Sequence, residues 1–411
     1  MHWLIPLIAV PAVPIVILCL MRQKFRSLKS YNLDGIKSLL DLSEFSLERI
    51  RVETEDGYIL SLFNIRHKDN YDPSKKPVIF QHGIGSSAAG WLIGGTENSP
   101  ACILAKKGHD VYLASSRGTV YSLEHQNLNP KQKAFWEFSF QQMKHDIKAN
   151  IELVSERCGG KVVHYIGHSQ GAVSMLAALA DPDRQTAQAI SNKLHIFYCL
   201  SPVIYTKRNG MTRMWLGSHL MAPGRRLLEA FGVYGIQPAA EKISLRRRRI
   251  IDWPKNLNKK MVFRWIDKSN EFINTDLFGT FMGFHPHGHS LHSLSHFIQI
   301  YSGPGVKYFK KYDYGREENL RRYGNIDPPS YNFGLIKEKL RLYYGDQDGY
   351  ISLEDMEMLI EDLSGNPGFK SKLIKGYGHI AFTLGLENHK FYSELLEDEV
   401  EGDQSIEGRQ D

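Results

Sequence analysis

A serine, a histidine and an aspartate occur in this sequence in settings that suit two-step acyl transfer. Gly167-His168-Ser169-Gln170-Gly171 follows a β-rich run at residues 161–166 and precedes a small-residue stretch at 172–180. A G-x-S-x-G between strand and helix is a nucleophile elbow. The turn holds the serine in a strained conformation, and the flanking glycines keep side chains from colliding with it. The amino end of the following helix favours developing negative charge. Such a serine needs a base, and the base an orienting acid, in the chain order Ser, Asp/Glu, His. Leu340-Arg341-Leu342-Tyr343-Tyr344 reads as a strand running into the turn Gly345-Asp346-Gln347-Asp348-Gly349, and Gly376-Tyr377-Gly378-His379 puts a histidine in a glycine-rich loop further on. Ser169 is therefore the candidate nucleophile, His379 the base and Asp348 the acid, with Asp346 as the alternative acid. The oxyanion needs N–H donors, and the backbone amides of Gln170 and of Ile84, in the loop His82-Gly83-Ile84, are the candidates.

These residues need a scaffold that gathers strand ends. Residues 50–54 and 58–65 read as strands joined by the turn Glu55-Asp56-Gly57, a hairpin signature. Apolar runs at 77–81, 110–114, 161–166 and 194–200 predict buried strands, and residues 100–107, 139–157 and 172–180 have helical spacing. Strands alternating with helices imply an α/β fold, a mostly parallel sheet with helices on both faces and its site at the carboxyl ends of the strands. The rhythm stops near Pro202 and resumes with a strand at 340–344, a helix around 353–363 and a strand at 372–375. Between, the chain reads as irregular and rich in Arg, His, Gly and aromatics. No Gly/Ser linker flanks it, which predicts an insertion packed on the core as a cap, or lid.

The chain has 411 residues, 42% of them hydrophobic, so it can bury a large core, and its net charge of +6 comes from mixed signs that give no support to nucleic-acid binding. Its cysteines, Cys19, Cys102, Cys158 and Cys199, form no C-x-x-C pair and read as free thiols. There is also no Asn-x-Ser/Thr acceptor, and both features lean against a disulfide-stapled, glycosylated secreted protein. Residues 3–21 carry no charge and would span about 28 Å as a helix at ~1.5 Å per residue. Arg22, Lys24, Arg26 and Lys29 follow, where a cleaved signal would carry its charge in front. A retained membrane anchor is the expected reading, and a cleaved signal the alternative. By the positive-inside rule the anchor would leave the rest of the chain facing the cytosol.

The motifs together resemble one family, the acid lipases of the α/β-hydrolases, which include gastric and lysosomal lipases and fungal sterol-ester hydrolases. Glu55-Asp56-Gly57-Tyr58-Ile59-Leu60 is similar to that family's opening hairpin and Gln81-His82-Gly83-Ile84 to its oxyanion loop. Asp110-Val111-Tyr112 with Ser116-Arg117-Gly118 matches its next strand and loop, and Phe135-Trp136-Glu137-Phe138-Ser139 its aromatic motif. Pro328-Pro329-Ser330-Tyr331-Asn332 leads into the acid strand, and Tyr377-Gly378-His379 resembles the family's Tyr-Asn-His. Departures are Gly378 in place of Asn, and Gly-Asp-Gln-Asp in place of Gly-Gly-x-Asp. The resemblance implies an α/β-hydrolase fold, serine-dependent hydrolysis of a lipid ester (a sterol ester or a triacylglycerol) through an acyl-enzyme, and no metal or organic cofactor. It is weak over residues 203–304, so the ester itself stays open.

Other signals compete. His285, His287, His289, His292 and His296 crowd a short stretch in which a metal site is one reading and an ordinary polar cap surface the preferred one. Arg246-Arg247-Arg248-Arg249 reads as a solvated face or a contact for anionic lipid headgroups. The expected organisation is an anchor at 1–27, a core at 28–202, a cap at 203–330, the rest of the core at 331–395 and an acidic tail at 396–411. The expected enzyme is a carboxylic ester hydrolase that meets its lipid substrate at a membrane or lipid-droplet surface, cytosol-facing on the endoplasmic reticulum or a droplet, with a secreted or lysosomal lumen as the alternative. The functional alternatives are an esterase or thioesterase on smaller soluble substrates, and a non-catalytic lipid-binding protein that retains the fold.

Overall fold

Residues 45–67 fold back on themselves: β1 (Phe45–Glu53), with exposed and buried positions interleaved, pairs antiparallel with the largely buried β2 (Tyr58–His67) across the turn at 54–57. In this computed structural model, which describes residues 33–206, 225, 227–236, 263 and 266–396, the strands that follow are β3 (Val78–Gln81), β4 (Val111–Ser115), β5 (Glu124–His125), β6 (Val163–His168), β7 (Leu194–Leu200), β8 (Gly235–Ile236), β9 (His289–Ser290), β10 (Lys339–Gly345) and β11 (Phe369–Ile374). The main sheet runs β1-β2-β4-β3-β6-β7-β10-β11, with β5 pairing β2 at its margin. From β4 onward in that order every pairing is parallel. This is the α/β-hydrolase fold.

The central strands are apolar at successive positions because each face of the sheet has its own core. Ile79, Tyr165, Phe197, Leu340 and Leu342 point to one side, into a cluster with Ile147 and Ile151 of α2 (Met143–Arg157) and Val173 and Leu176 of α3 (Gln170–Leu179). Val78, Phe80, Ile166, Tyr198 and Tyr343 point to the other, where they meet Ile103 and Leu104 of α1 (Pro100–Lys106). The helix expected from residue 139 starts at Met143, because Ser139 first closes a turn in which its amide donates to Gln142 Oε1 at 2.9 Å. The last strand begins earlier than its sequence suggests. It lies at the sheet edge, where Phe369–Ile374 needs little apolar periodicity, and its middle residues are exposed.

Arg117 shows why the separated motifs belong together. It is 1% exposed, and its guanidinium donates to Asp146 Oδ1 of α2 at 2.7 Å and to both carboxylate oxygens of Asp56 at 2.6 and 2.9 Å. The same group lies 4.0 Å from the centroid of the Tyr58 ring. A buried guanidinium is tolerated only when paired and hydrogen-bonded on all sides, as here.

Between β7 and its parallel neighbour β10 the chain leaves the sheet and returns. Its described residues there are more ordered than the sequence suggests. β8 and β9 form an antiparallel pair, and Ser290 caps α4 (Leu291–Ser302) by accepting the His292 amide at 2.9 Å. Further along, α5 (Asn388–Leu395) covers α1 at the second face. Residues 3–21, the Arg246–249 run and the tail beyond 396 lie outside the described residues. Among the described residues no helix is long and apolar enough to cross a membrane.

Candidate active site

Ser169 stands between the last residue of β6 and the first of α3 with φ 53° and ψ −121°. A non-glycine residue in that region stores about 1–3 kcal/mol of strain, so its neighbours must hold it. Its amide donates to Leu200 O of β7, and its carbonyl accepts from Val173 of α3, both at 2.9 Å. Gly171 is required by close approach: a Cβ there would lie 2.5 Å from Gln81 O and 2.8 Å from His82 O. The loop after β3 therefore runs directly against the elbow, and a Cβ on Gly83 would sit 2.9 Å from Ser169 Cβ.

The ring of His379 bridges the serine and an aspartate. Its Nε2 lies 2.8 Å from Ser169 Oγ, and its Nδ1 lies 2.8 Å from Asp348 Oδ2. With Nδ1–H donated to Asp348, Nε2 is left to accept the serine proton. Asp348 is fully buried, and its second oxygen accepts the Tyr350 amide at 2.8 Å. Asp346, the alternative acid, instead accepts the Gly376 amide at 2.7 Å and so shapes the turn before the histidine. Burial pulls the His379 pKa down, and the charge and hydrogen bond of Asp348, with a contribution from Asp267, outweigh it and leave it raised.

Ile84 lies in the loop that follows β3, and Gln170 is the first residue of α3, whose amide the helix itself does not use. His82 stiffens the loop's start: its Nδ1 lies 2.8 Å from Gly83 O, and its Nε2 accepts the Ser116 amide at 3.1 Å. His287 reaches in from the excursion. Its amide donates to Gly85 O at 2.8 Å, and its Nδ1 lies 2.8 Å from Ser87 Oγ.

The expectation of an ordinary polar cap surface at these histidines is overturned. His287, His292 and His296 are buried. His296 stacks on Phe140 and bridges Ser139 Oγ and Lys310 O, while His292 stacks on Tyr312. Burial lowers the pKa of His287 and His296 to about 3, so both are neutral at ordinary pH. They face separate partners, and among the described residues no group of three or more His, Cys, Asp or Glu is placed to hold a metal ion.

A cavity of about 300 Å³ opens over Ser169 and His379, walled by Trp91, Ile93, Phe281, Phe297, Ile380 and Leu384 among others. Ile84 lines it as well. Two neighbours of the catalytic candidates are given no role by the sequence. Asp267 accepts the amides of His379 and Ile380, the latter at 3.1 Å, and His168 Nε2–H donates to His379 O at 2.8 Å. His168 lies inside the elbow motif, so its position could have drawn attention. Asp267 lies in a stretch with no pattern.

A family model described as a partial α/β-hydrolase lipase region matches residues 36–95. Lipase lipl-1 of Caenorhabditis elegans is 30% identical over 361 residues, which cover 86% of this chain and 87% of that protein. Lipase member K of Homo sapiens is 28% identical, and gastric triacylglycerol lipase of Rattus norvegicus 27%, each with 88% of this chain and 90% of the relative covered. Among solved structures, a soluble variant of monoglyceride lipase from Saccharomyces cerevisiae, bound to a substrate analogue, superposes with a TM-score of 0.53 at 12% identity. That match covers 85% of this chain and 94% of the other, and it speaks for the fold alone.

Proposed function

Because the chain belongs to the acid lipase family of α/β-hydrolases and is a carboxylic ester hydrolase, we propose that it cleaves lipid esters with Ser169 as nucleophile, His379 as general base and Asp348 as orienting acid. One observation carries this reading: the unbroken relay from Ser169 Oγ through the His379 ring to Asp348, both links 2.8 Å, opening on an apolar cavity.

The proposed reaction runs in two steps. Ser169 Oγ attacks the ester carbonyl as His379 Nε2 takes its proton, and Asp348 stabilises the imidazolium. The amides of Gln170 and Ile84 are the donors for the tetrahedral oxyanion, with Gly83 and its neighbours packed against the elbow. The C–O bond then breaks, the alcohol leaves with the proton from His379, and the acyl group remains on Ser169. Water, activated by the same histidine, attacks the acyl-enzyme and releases the carboxylic acid.

Hydrocarbon walls favour an acyl chain over a charged or strongly polar substrate. Residues 203–330 are read as the cap that narrows the choice between sterol esters and triacylglycerols. The relatives named as gastric triacylglycerol lipases support the triacylglycerol class and a secreted or luminal place of action.

A nitrophenyl ester series of rising chain length, beside triolein and cholesteryl oleate emulsions, tests the substrate. Rates rising with chain length and turnover of an emulsion are expected, whereas activity confined to short soluble esters would replace lipase by esterase. Labelling with a fluorophosphonate probe tests the nucleophile, and a wild type that labels no faster than Ser169→Ala removes it. For location, protease digestion of the catalytic domain in sealed microsomes without detergent would restore the cytosol-facing, anchored arrangement.

A further inference from the structure

Asp267 is a carboxylate that the mechanism leaves unused, although it touches both of the loops that the mechanism needs. It is 1% exposed. Its backbone forms an antiparallel bridge with Asp348, flanked by the Gly349 amide donating to Ile266 O at 3.0 Å and the Lys268 amide donating to Gln347 O at 2.8 Å. Its side chain turns to the other loop and accepts the amides of His379 and Ile380. One residue thus grips the acid turn with its backbone and the histidine loop with its carboxylate.

Gly378 fits this arrangement. A Cβ at that position would stand 2.2 Å from Asp267 Cγ, so any side chain would push the carboxylate off the His379 amide. The opposite end of the same residue is also held, by the His168 Nε2–H on His379 O at 2.8 Å. Backbone amide, backbone carbonyl and both ring nitrogens of His379 are therefore all engaged.

We propose that Asp267 is a positioning residue for His379, which locks the histidine loop to the acid turn and places a second carboxylate beside the imidazole. The proposal rests on the Ser169–His379–Asp348 assignment above. Burial, then the charge of Asp348, raises the Asp267 pKa to about 7, and the charges of Asp348 and Asp267 both act to raise that of His379. The groups facing the His379 ring are Asp348, Ser169, His168 and Tyr350, with Asp267 behind its backbone. Burial, with the nearby His379, His82 and His285, drives the His168 pKa down to about 3, and burial and the two aspartates push that of Tyr350 up to about 12. Asp348 and Asp267 are the two carboxylates whose charge raises the His379 pKa.

The test is Asp267→Asn, which keeps an acceptor oxygen but removes the charge. The expected result is kcat/KM down by about 10- to 100-fold with KM changed less than about threefold. The acid limb of the pH profile should move to lower pH, because His379 without the second carboxylate is more easily deprotonated. Fluorophosphonate labelling should slow in step, at an unchanged melting temperature. As a second arm, Gly378→Ala should slow labelling strongly in the wild type and much less in an Asp267→Ala background. An unmoved acid limb with wild-type labelling in Asp267→Asn overturns the proposal, as does additivity in the Gly378/Asp267 cycle. Wild type labelling no faster than Ser169→Ala is a different failure, since it removes the triad itself.

Discussion

His287 and Gly85 are joined by a backbone hydrogen bond of 2.8 Å, so the histidine-rich segment after residue 284 is tied to the loop that carries Ile84. The His287 ring adds a second tie through Ser87 Oγ. If this bracing positions an oxyanion donor, its loss should act on the transition state more than on substrate binding. His287→Ala is expected to lower kcat about tenfold with KM within about twofold. Steady-state kinetics on a soluble nitrophenyl ester decides this, and a change in KM alone would assign the segment to substrate binding instead.

Asp348 and Asp346 differ in what they hold. Asp348→Asn leaves the turn intact but deprives His379 of its charged partner, and kcat should fall by about four orders of magnitude. Asp346→Asn keeps an acceptor for the Gly376 amide and should cost less than about tenfold. The reverse ranking in a turnover assay would transfer the acid role to Asp346.

Acid should destabilise the fold. Burial lowers the pKa of His82 to about 4 and of His168, His287 and His296 to about 3, against 6.5 for a free histidine. Between those values the unfolded chain binds more protons than the folded one, so this stability is complete above pH 6.5 and drains away as pH falls toward 3. Asp267 and His379, both raised, act in the opposite sense but are fewer. Each such histidine contributes up to about 1.4 kcal/mol per pH unit. The melting temperature should drop by at least about 5 °C between pH 7 and pH 5. A flat profile across that interval would mean that these rings find compensating partners when protonated.

Arg117→Ala should be among the most damaging substitutions outside the site. It strands the buried Asp146 carboxylate, and breaking a buried pair from one side costs about 3–5 kcal/mol. Replacing both, as Arg117→Met with Asp146→Leu, should recover part of the loss. Denaturant unfolding of the single and double variants measures this directly.

The elbow is legible in the sequence because its requirements are local: a β-rich run, small residues at fixed offsets and a helix, all within a few positions of Ser169. The strands are legible for a related reason, since central strands with a core on each face are apolar at most successive positions. Histidines 287, 292 and 296 are misread as surface because a polar side chain in an irregular stretch reveals nothing of its neighbours. Only the folded chain shows Phe140 stacked on His296, Tyr312 on His292, and Tyr121 edge-on to His287. Asp267 is illegible for a deeper reason. Its partners are backbone amides more than a hundred positions away, and a backbone amide leaves no mark in a sequence. The one trace is Gly378, which reads as a departure from the family pattern until the carboxylate is seen pressed against it.

The placement of β10 beside β7 also has a consequence for biosynthesis. Ser169 and His379 are 210 positions apart, and the strands β3, β4, β6 and β7 that display the serine precede β10 and β11 in synthesis. A growing chain can therefore pair its central strands and form the elbow while the proposed base and acid are still untranslated. During that interval the nascent protein holds Ser169 without the imidazole proposed to accept its proton. On the proposed assignment, esterolytic power waits on the docking of β10 against β7 and of β11 against β10. If His379 is the base, a chain halted before it would keep much of the architecture and none of the reactivity.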